Sequence, residues 1–135
     1  MSTKNSRGDS LEVLDTFAWI EYFAGSEQGE MARQYIESGD AITPSIVIAE
    51  FADKYERERM NPKERLSFIR TKSSVSSLDD TIAETAGRIS AQRRRKVRGW
   101  GLVDSVILAT ARAVEAKVVT GDEHFRDLEE AIMIK

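Results

Sequence analysis

The stretch from Gly101 to Asp122, GLVDSVILATARAVEAKVVTGD, limits what this chain can fold into more than any other part of it. Leu102, Val103, Val106, Ile107, Leu108, Ala109, Ala111 and Val114 make a segment that is apolar almost all round, at a length that predicts a buried helix rather than a strand. Lys117 to Thr120 reads as a short strand with β-branched Val118 and Val119, and Gly121 turns the chain so that Asp122 stands just past the strand's carboxyl end. Helix, loop, strand and carboxylate form half of a βαβ unit. In open parallel sheets, ligands bind in the crevice beyond the carboxyl ends of the strands. Asp122 is therefore a candidate functional residue, and Asp104 near the start of the helix is its candidate companion. Asp104 also has a plain structural reading, as a cap or as a partner of the helix dipole.

The same pattern recurs along the chain. Leu11 to Leu14 is a brief apolar run, followed by Asp15 and Thr16 and then by a helical pattern holding Phe17, Ala18, Trp19, Ile20, Tyr22 and Phe23. A polar linker from Gly25 to Gly29 is expected to close that helix, and Met31 to Ser38 to form the next, stopped by Gly39. Ala41 to Thr43 reads as a strand, and Pro44 suits the first turn of the helix after it. Further helices are expected from Pro62 to Thr71 and from Thr81 to about Arg95, with a polar strand from Ser73 to Leu78 between them. After Asp122 come a helical turn near Phe125 and Leu128 and a final strand from Ile132 to Ile134. Strands alternating with helices predict an α/β fold with a mainly parallel sheet, covered on both faces and connected right-handedly.

At 135 residues the chain suits one domain, expected over residues 11–135, with the polar start MSTKNSRGDS at 1–10 as a disordered tail. The absence of cysteine excludes disulfides, zinc–thiolate centres and thiol nucleophiles, and makes a cytoplasmic location the default expectation. The single histidine, His124, cannot build a multi-histidine metal site. No apolar run approaches the ~20 residues of a membrane span. A net charge of -3 lacks the basic excess of a general nucleic-acid binder, so nucleic-acid contact requires a local patch. Arg93, Arg94, Arg95, Lys96 and Arg98 supply one, which reads either as a solvated helix end or as a phosphate-binding surface.

Glu50 is out of character with its neighbours Ile46, Val47, Ile48, Ala49, Phe51 and Ala52. A buried, unpartnered carboxylate is costly, so this one wants the rim of the core or a cation. Asp15 and Asp122 follow strands, while Glu50 and Asp104 lie in the first halves of apolar helices; all four can converge at the carboxyl edge of one sheet. Two unit charges about 4 Å apart repel by ~4 kcal/mol at an effective dielectric near 20, so such a cluster requires compensation. Without cysteine, an oxygen-donor site suits a hard cation such as Mg²⁺ or Mn²⁺, and such sites support phosphodiester hydrolysis by activating water.

Four segments together, Leu14-Asp15-Thr16, Pro44 to Glu50, Val103 to Ala111 and Val119 to Phe125, resemble the PIN-domain family of metal-dependent ribonucleases, and within it the small VapC-type toxins. The resemblance implies a three-layer α/β/α sandwich with a mainly parallel sheet of four to five short strands. It further implies a Mg²⁺- or Mn²⁺-dependent endoribonuclease with Asp15, Glu50, Asp104 and Asp122 as its catalytic and metal-holding positions, supported by Thr16 and Thr120. VapC-like proteins commonly form homodimers and are held inactive by a VapB-type antitoxin, so RNA, an antitoxin and a second copy of the chain are the implied partners. Competing readings are a metal- or nucleic-acid-binding module without turnover, an RNA-processing nuclease without an antitoxin, and a receiver-like phosphotransfer domain. The last would need a lysine beyond a late strand, where Thr120-Gly121-Asp122 stands instead. His124 reads as a surface or capping residue, and Phe17, Trp19, Tyr22 and Phe23 as core and dimer-contact residues.

Overall fold

Five short parallel strands carry the molecule, in the order β3-β2-β1-β4-β5. They are β1 (Glu12–Leu14), β2 (Ile42–Pro44), β3 (Ser74–Ser76), β4 (Lys117–Thr120) and β5 (Ala131–Met133). The computed structural model describes residues 11–135, so the tail expected at 1–10 lies outside the described residues. Helices α1 (Thr16–Ala24) and α2 (Glu27–Glu37) link β1 to β2. Next, α3 (Ser45–Arg57) and α4 (Lys63–Lys72) link β2 to β3, and α5 (Asp80–Arg93) and α6 (Leu102–Ala113) return the chain to β4. This is the α/β sandwich expected from the alternating pattern.

Strand order reverses between β1 and β4, which pair in register through Val13 and Val118 and through Leu14 and Val119. From β1 the chain moves outward to β2 and β3, and from β4 it moves the other way to β5. Connections leaving in opposite directions open a crevice at the carboxyl edge. Asp15 follows β1 and Asp122 lies two residues past β4, so both stand at this switch point.

The core explains why the two middle strands read as continuous apolar runs: Val13, Leu14, Val118 and Val119 are fully buried between helical layers. Ser105 to Ala111 of α6 is buried on every side, as its composition predicts, whereas Leu102 in its first turn is exposed. Trp19 is also fully buried; it stacks on Phe23 with ring centroids 5.8 Å apart and donates its indole N–H to Thr43 Oγ1 at 3.1 Å.

Two boundaries differ from expectation for local reasons. The stretch Gly25 to Gly29 is not a linker: Gly25 ends α1 at φ 69°, and Ser26 immediately caps α2 by accepting the Gly29 N–H at 3.0 Å. Gly29 is there for close approach, since a Cβ on it would lie 2.0 Å from the Glu21 carbonyl oxygen. Pro44 closes β2 and caps α3 from the extended region, one position earlier than its expected place inside the helix.

Candidate active site

Three acids arrive in the crevice as helix caps. Asp15 caps α1, its Oδ1 accepting the Ala18 N–H at 2.9 Å. Asp104, in the first turn of α6, reaches back so that Oδ2 accepts the Gly101 N–H at 3.0 Å. Asp122 caps a 3₁₀ turn over Glu123–Phe125, its Oδ1 accepting the His124 N–H at 2.9 Å. The capping reading and the site reading are thus compatible, because a carboxylate has two oxygens and a cap occupies one of them. Glu50 projects from the second turn of α3, and Thr16 donates to its Oε1 at 2.5 Å.

All four acids line one cleft of about 440 Å³, together with Thr16, Phe17, Ile107, Gly121, Glu123 and Lys135. Thr120 serves two of them: its Oγ1 accepts the Asp122 N–H at 3.0 Å, and its side chain hydrogen-bonds Asp15. Phe17 forms part of the wall, and close approach of its ring requires glycine at position 121, where a Cβ would lie 2.1 Å from Cε1. Lys135 stands at the rim, 3.5 Å from Glu123.

Burial first, and crowding of like charge after it, show in the acidities of two of these acids. Burial pushes the Asp15 carboxyl from 3.8 up to about 7, against the opposing hydrogen bonds of Thr120 and Ala18, and Asp122 and Glu50 add repulsion. Asp104 is also raised, first by burial, with Asp122 and Glu50 contributing. One ligand atom each from Asp104, Asp122 and His124 falls within a mutual 4.8 Å. His124 Nδ1 itself lies 2.6 Å from Asp122 Oδ1, off the line of a hydrogen bond. Four acids in one cleft, with Asp15 buried and the carboxyls of Asp15 and Asp104 both raised, fit a hard divalent cation, which would relieve both the desolvation and the repulsion.

A family model described as PIN domain matches residues 13–131. The chain belongs to the PIN domain family. No curated protein sequence matches it. Solved structures do: this PIN domain superposes with a TM-score of 0.72 on a chain of a toxin–antitoxin complex from Klebsiella pneumoniae, at 18% identity over 92% of this chain and 98% of that one. It superposes at 0.70 on a chain of DNA-bound VapBC from Salmonella typhimurium, at 21% identity over 92% and 98% of the two chains. A third match, at 0.67, is the Mycobacterium tuberculosis sarcin-ricin loop cleaving toxin VapC20, with 18% identity over 87% of this chain and 95% of that one. The PIN fold seen in VapC structures is therefore the fold of this chain.

The basic cluster divides. Arg94, Arg95, Lys96 and Arg98 are exposed after α5, but Arg93 is only 5% exposed and turns inward. Its Nη2 donates to Asp127 Oδ1 and to the His124 carbonyl, both at 2.8 Å, and its guanidinium lies 4.2 Å from the centre of the Trp100 ring. A residue so engaged offers nothing to an RNA phosphate, so the expected surface patch lacks Arg93. His124, expected at the surface or in a cap, has a side chain 39% exposed and also brings a ring nitrogen to the acidic cluster. Its place two residues beyond Asp122 is the only signal the sequence carries for it, and proximity in sequence alone does not distinguish the two roles.

Among the described residues no helix is long and apolar enough to cross a membrane.

Proposed function

We propose that this PIN domain is a divalent-cation-dependent endoribonuclease, the toxin of a toxin–antitoxin pair. The observation that carries the reading is the convergence of Asp15, Glu50, Asp104 and Asp122 on one cleft at the switch point of the sheet. Family membership and the nature of the structural neighbours support the choice of RNA and of an antitoxin partner.

In this proposal the four acids hold Mg²⁺, with Mn²⁺ as a substitute, and His124 stands beside them. The ion supplies an activated water and charge stabilisation at a scissile phosphate. The remaining work belongs to the protein. Thr16 fixes Glu50, Thr120 bridges Asp15 and Asp122, and the three caps hold each aspartate against its own backbone so that little reorganisation accompanies cation binding. Phe17 and Ile107 exclude water from one side of the cleft. The exposed Arg94, Arg95, Lys96 and Arg98 offset the repulsion between an acidic cleft and an RNA backbone. A VapB-type antitoxin and a second copy of the chain are the proposed protein partners, and the cytoplasm the proposed location.

Incubation of the purified protein with total RNA, with and without Mg²⁺, tests the activity. Mg²⁺-dependent cleavage that disappears in Asp104→Asn is the expected result. Tight Mn²⁺ binding with no cleavage of any RNA would instead indicate a binding module.

A further inference from the structure

Arg93 is an unusual residue to find inside a small domain. A guanidinium cannot lose its charge, so burial at 5% exposure demands partners; both terminal nitrogens have them, while the buried Nε has none. The partners all lie on one short segment or beneath it. Asp127 is held bidentately, Nη1 to Oδ2 at 3.1 Å and Nη2 to Oδ1 at 2.8 Å, and the His124 carbonyl takes a further bond from Nη2. Trp100, 3% exposed, lies under the guanidinium, packs against Phe125 with ring centroids 4.9 Å apart and planes tilted by 53°, and donates its own N–H to Ser105 of α6 at 2.7 Å. One charge thus ties the end of α5 to the turn from Asp122 to Asp127 at His124 and at Asp127 and, through Trp100, to the first turn of α6, where Asp104 sits.

That turn has a second anchor in Phe125, whose side chain is buried against Trp100. Glu123–Phe125 is a single 3₁₀ turn, too short to hold its own position, and its cap is the Asp122 side chain. From the opposite side, Gly99 at φ 85° packs so closely that a Cβ there would lie 2.7 Å from His124 Nε2. His124 is accordingly fixed by its carbonyl through Arg93 and by its ring against Gly99, and Asp122, whose Oδ1 accepts the His124 N–H, is fixed with it.

We infer that Arg93 is a positioning residue: the clamp it forms on Asp127 and the His124 carbonyl sets the placement of Asp122 relative to Asp104, and so the affinity of the cleft for a divalent cation. This rests on the cation reading given above and adds a residue that touches neither ion nor RNA. Lysine at this position retains the charge but gives up the planar fork and most of the packing on Trp100.

Mn²⁺ titrated alone into the full chain, with free ion read by electron paramagnetic resonance, provides the test. Arg93→Lys is expected to weaken Mn²⁺ binding about tenfold or more, the size of effect usual for outer partners of metal ligands. Asp127→Asn, at a half-exposed site where folding is not at risk, is expected to weaken it severalfold in the same direction. Ile36→Val, a core change away from the cleft, controls for stability and is expected to lower the melting temperature without moving Mn²⁺ affinity. Unaltered affinity in both Arg93→Lys and Asp127→Asn overturns the positioning role and leaves the cation reading standing; absence of Mn²⁺ binding by the unmutated protein overturns both.

Discussion

Thr16 donates a 2.5 Å hydrogen bond to Oε1 of Glu50, joining the first residue of α1 to the second turn of α3 across 34 positions of sequence. The bond engages one oxygen of a carboxylate that lines the acidic cleft. Thr16→Val keeps the shape and removes the donor, so cation affinity and RNA cleavage are expected to fall about tenfold while the fold persists; Thr16→Ser retains both. A Thr16→Val protein with undiminished cation affinity would assign the hydroxyl a purely local role.

Asp104 supports a backbone N–H with one oxygen and faces Asp122 and His124 across the cleft. Asparagine preserves the cap and removes the charge. Cleavage by Asp104→Asn is expected to drop by more than the ~10–100-fold typical of an outer partner, with the melting temperature unchanged or higher, because a like-charge repulsion is gone. Measured cleavage and thermal melting of the same preparation check both halves.

Asp15 gives the cation-free protein a distinctive pH dependence. Its carboxyl ionises near 3.8 when unfolded and at about 7 when folded, so across that interval the folded state binds the additional proton. Stability therefore falls as pH rises through the interval and stays at its lower value above it. Asp104 acts in the same sense. Urea denaturation of the cation-free protein is expected to show greater stability near about pH 5 than near about pH 8, and Asp15→Asn is expected to reduce the difference. Equal slopes in the two proteins would show that this carboxyl is not the source.

Arg94 and Arg95 are expected to act on RNA through charge alone. Replacing both with alanine should lower the dependence of log K on log salt by roughly 0.7 for each phosphate no longer neutralised, with Mn²⁺ affinity unchanged. Binding of a single-stranded RNA at several salt concentrations gives the slope, and an unaltered slope would return the cluster to a solvated helix end.

Gly29 tests the packing of α1 on α2. Alanine there would place its methyl against the Glu21 carbonyl, and the helices must separate to admit it. A loss of about 1–3 kcal/mol in stability is expected, read by denaturant unfolding, without a change in cation affinity.

Much of this arrangement was legible from periodicity. The buried α6, the strand β4 and the turn at Gly121 follow from a run of apolar residues with β-branching at its end, since helix and strand periods are local properties. The polar strand β3 was legible as well, as a β-branched segment between two helical patterns. Gly25 to Gly29 misled because two glycines in five residues look like a loop, whereas the second is demanded by a neighbouring helix that the local sequence does not reveal. Arg93 misled for a related reason: within RRRK the four side chains are chemically similar, and which of them turns inward depends on where Asp127 and Trp100 lie.

The sequence alone determined the element order, the parallel sheet and the four acids that follow strands or begin apolar helices, because hydrophobic period and capping chemistry act over a few residues at a time. Only the tertiary structure decided that His124 joins Asp104 and Asp122, that Thr16 holds Glu50, and that Arg93 is a buried clamp rather than a surface charge. These are contacts between segments distant in the chain, and their geometry is fixed by how the helices pack on the sheet.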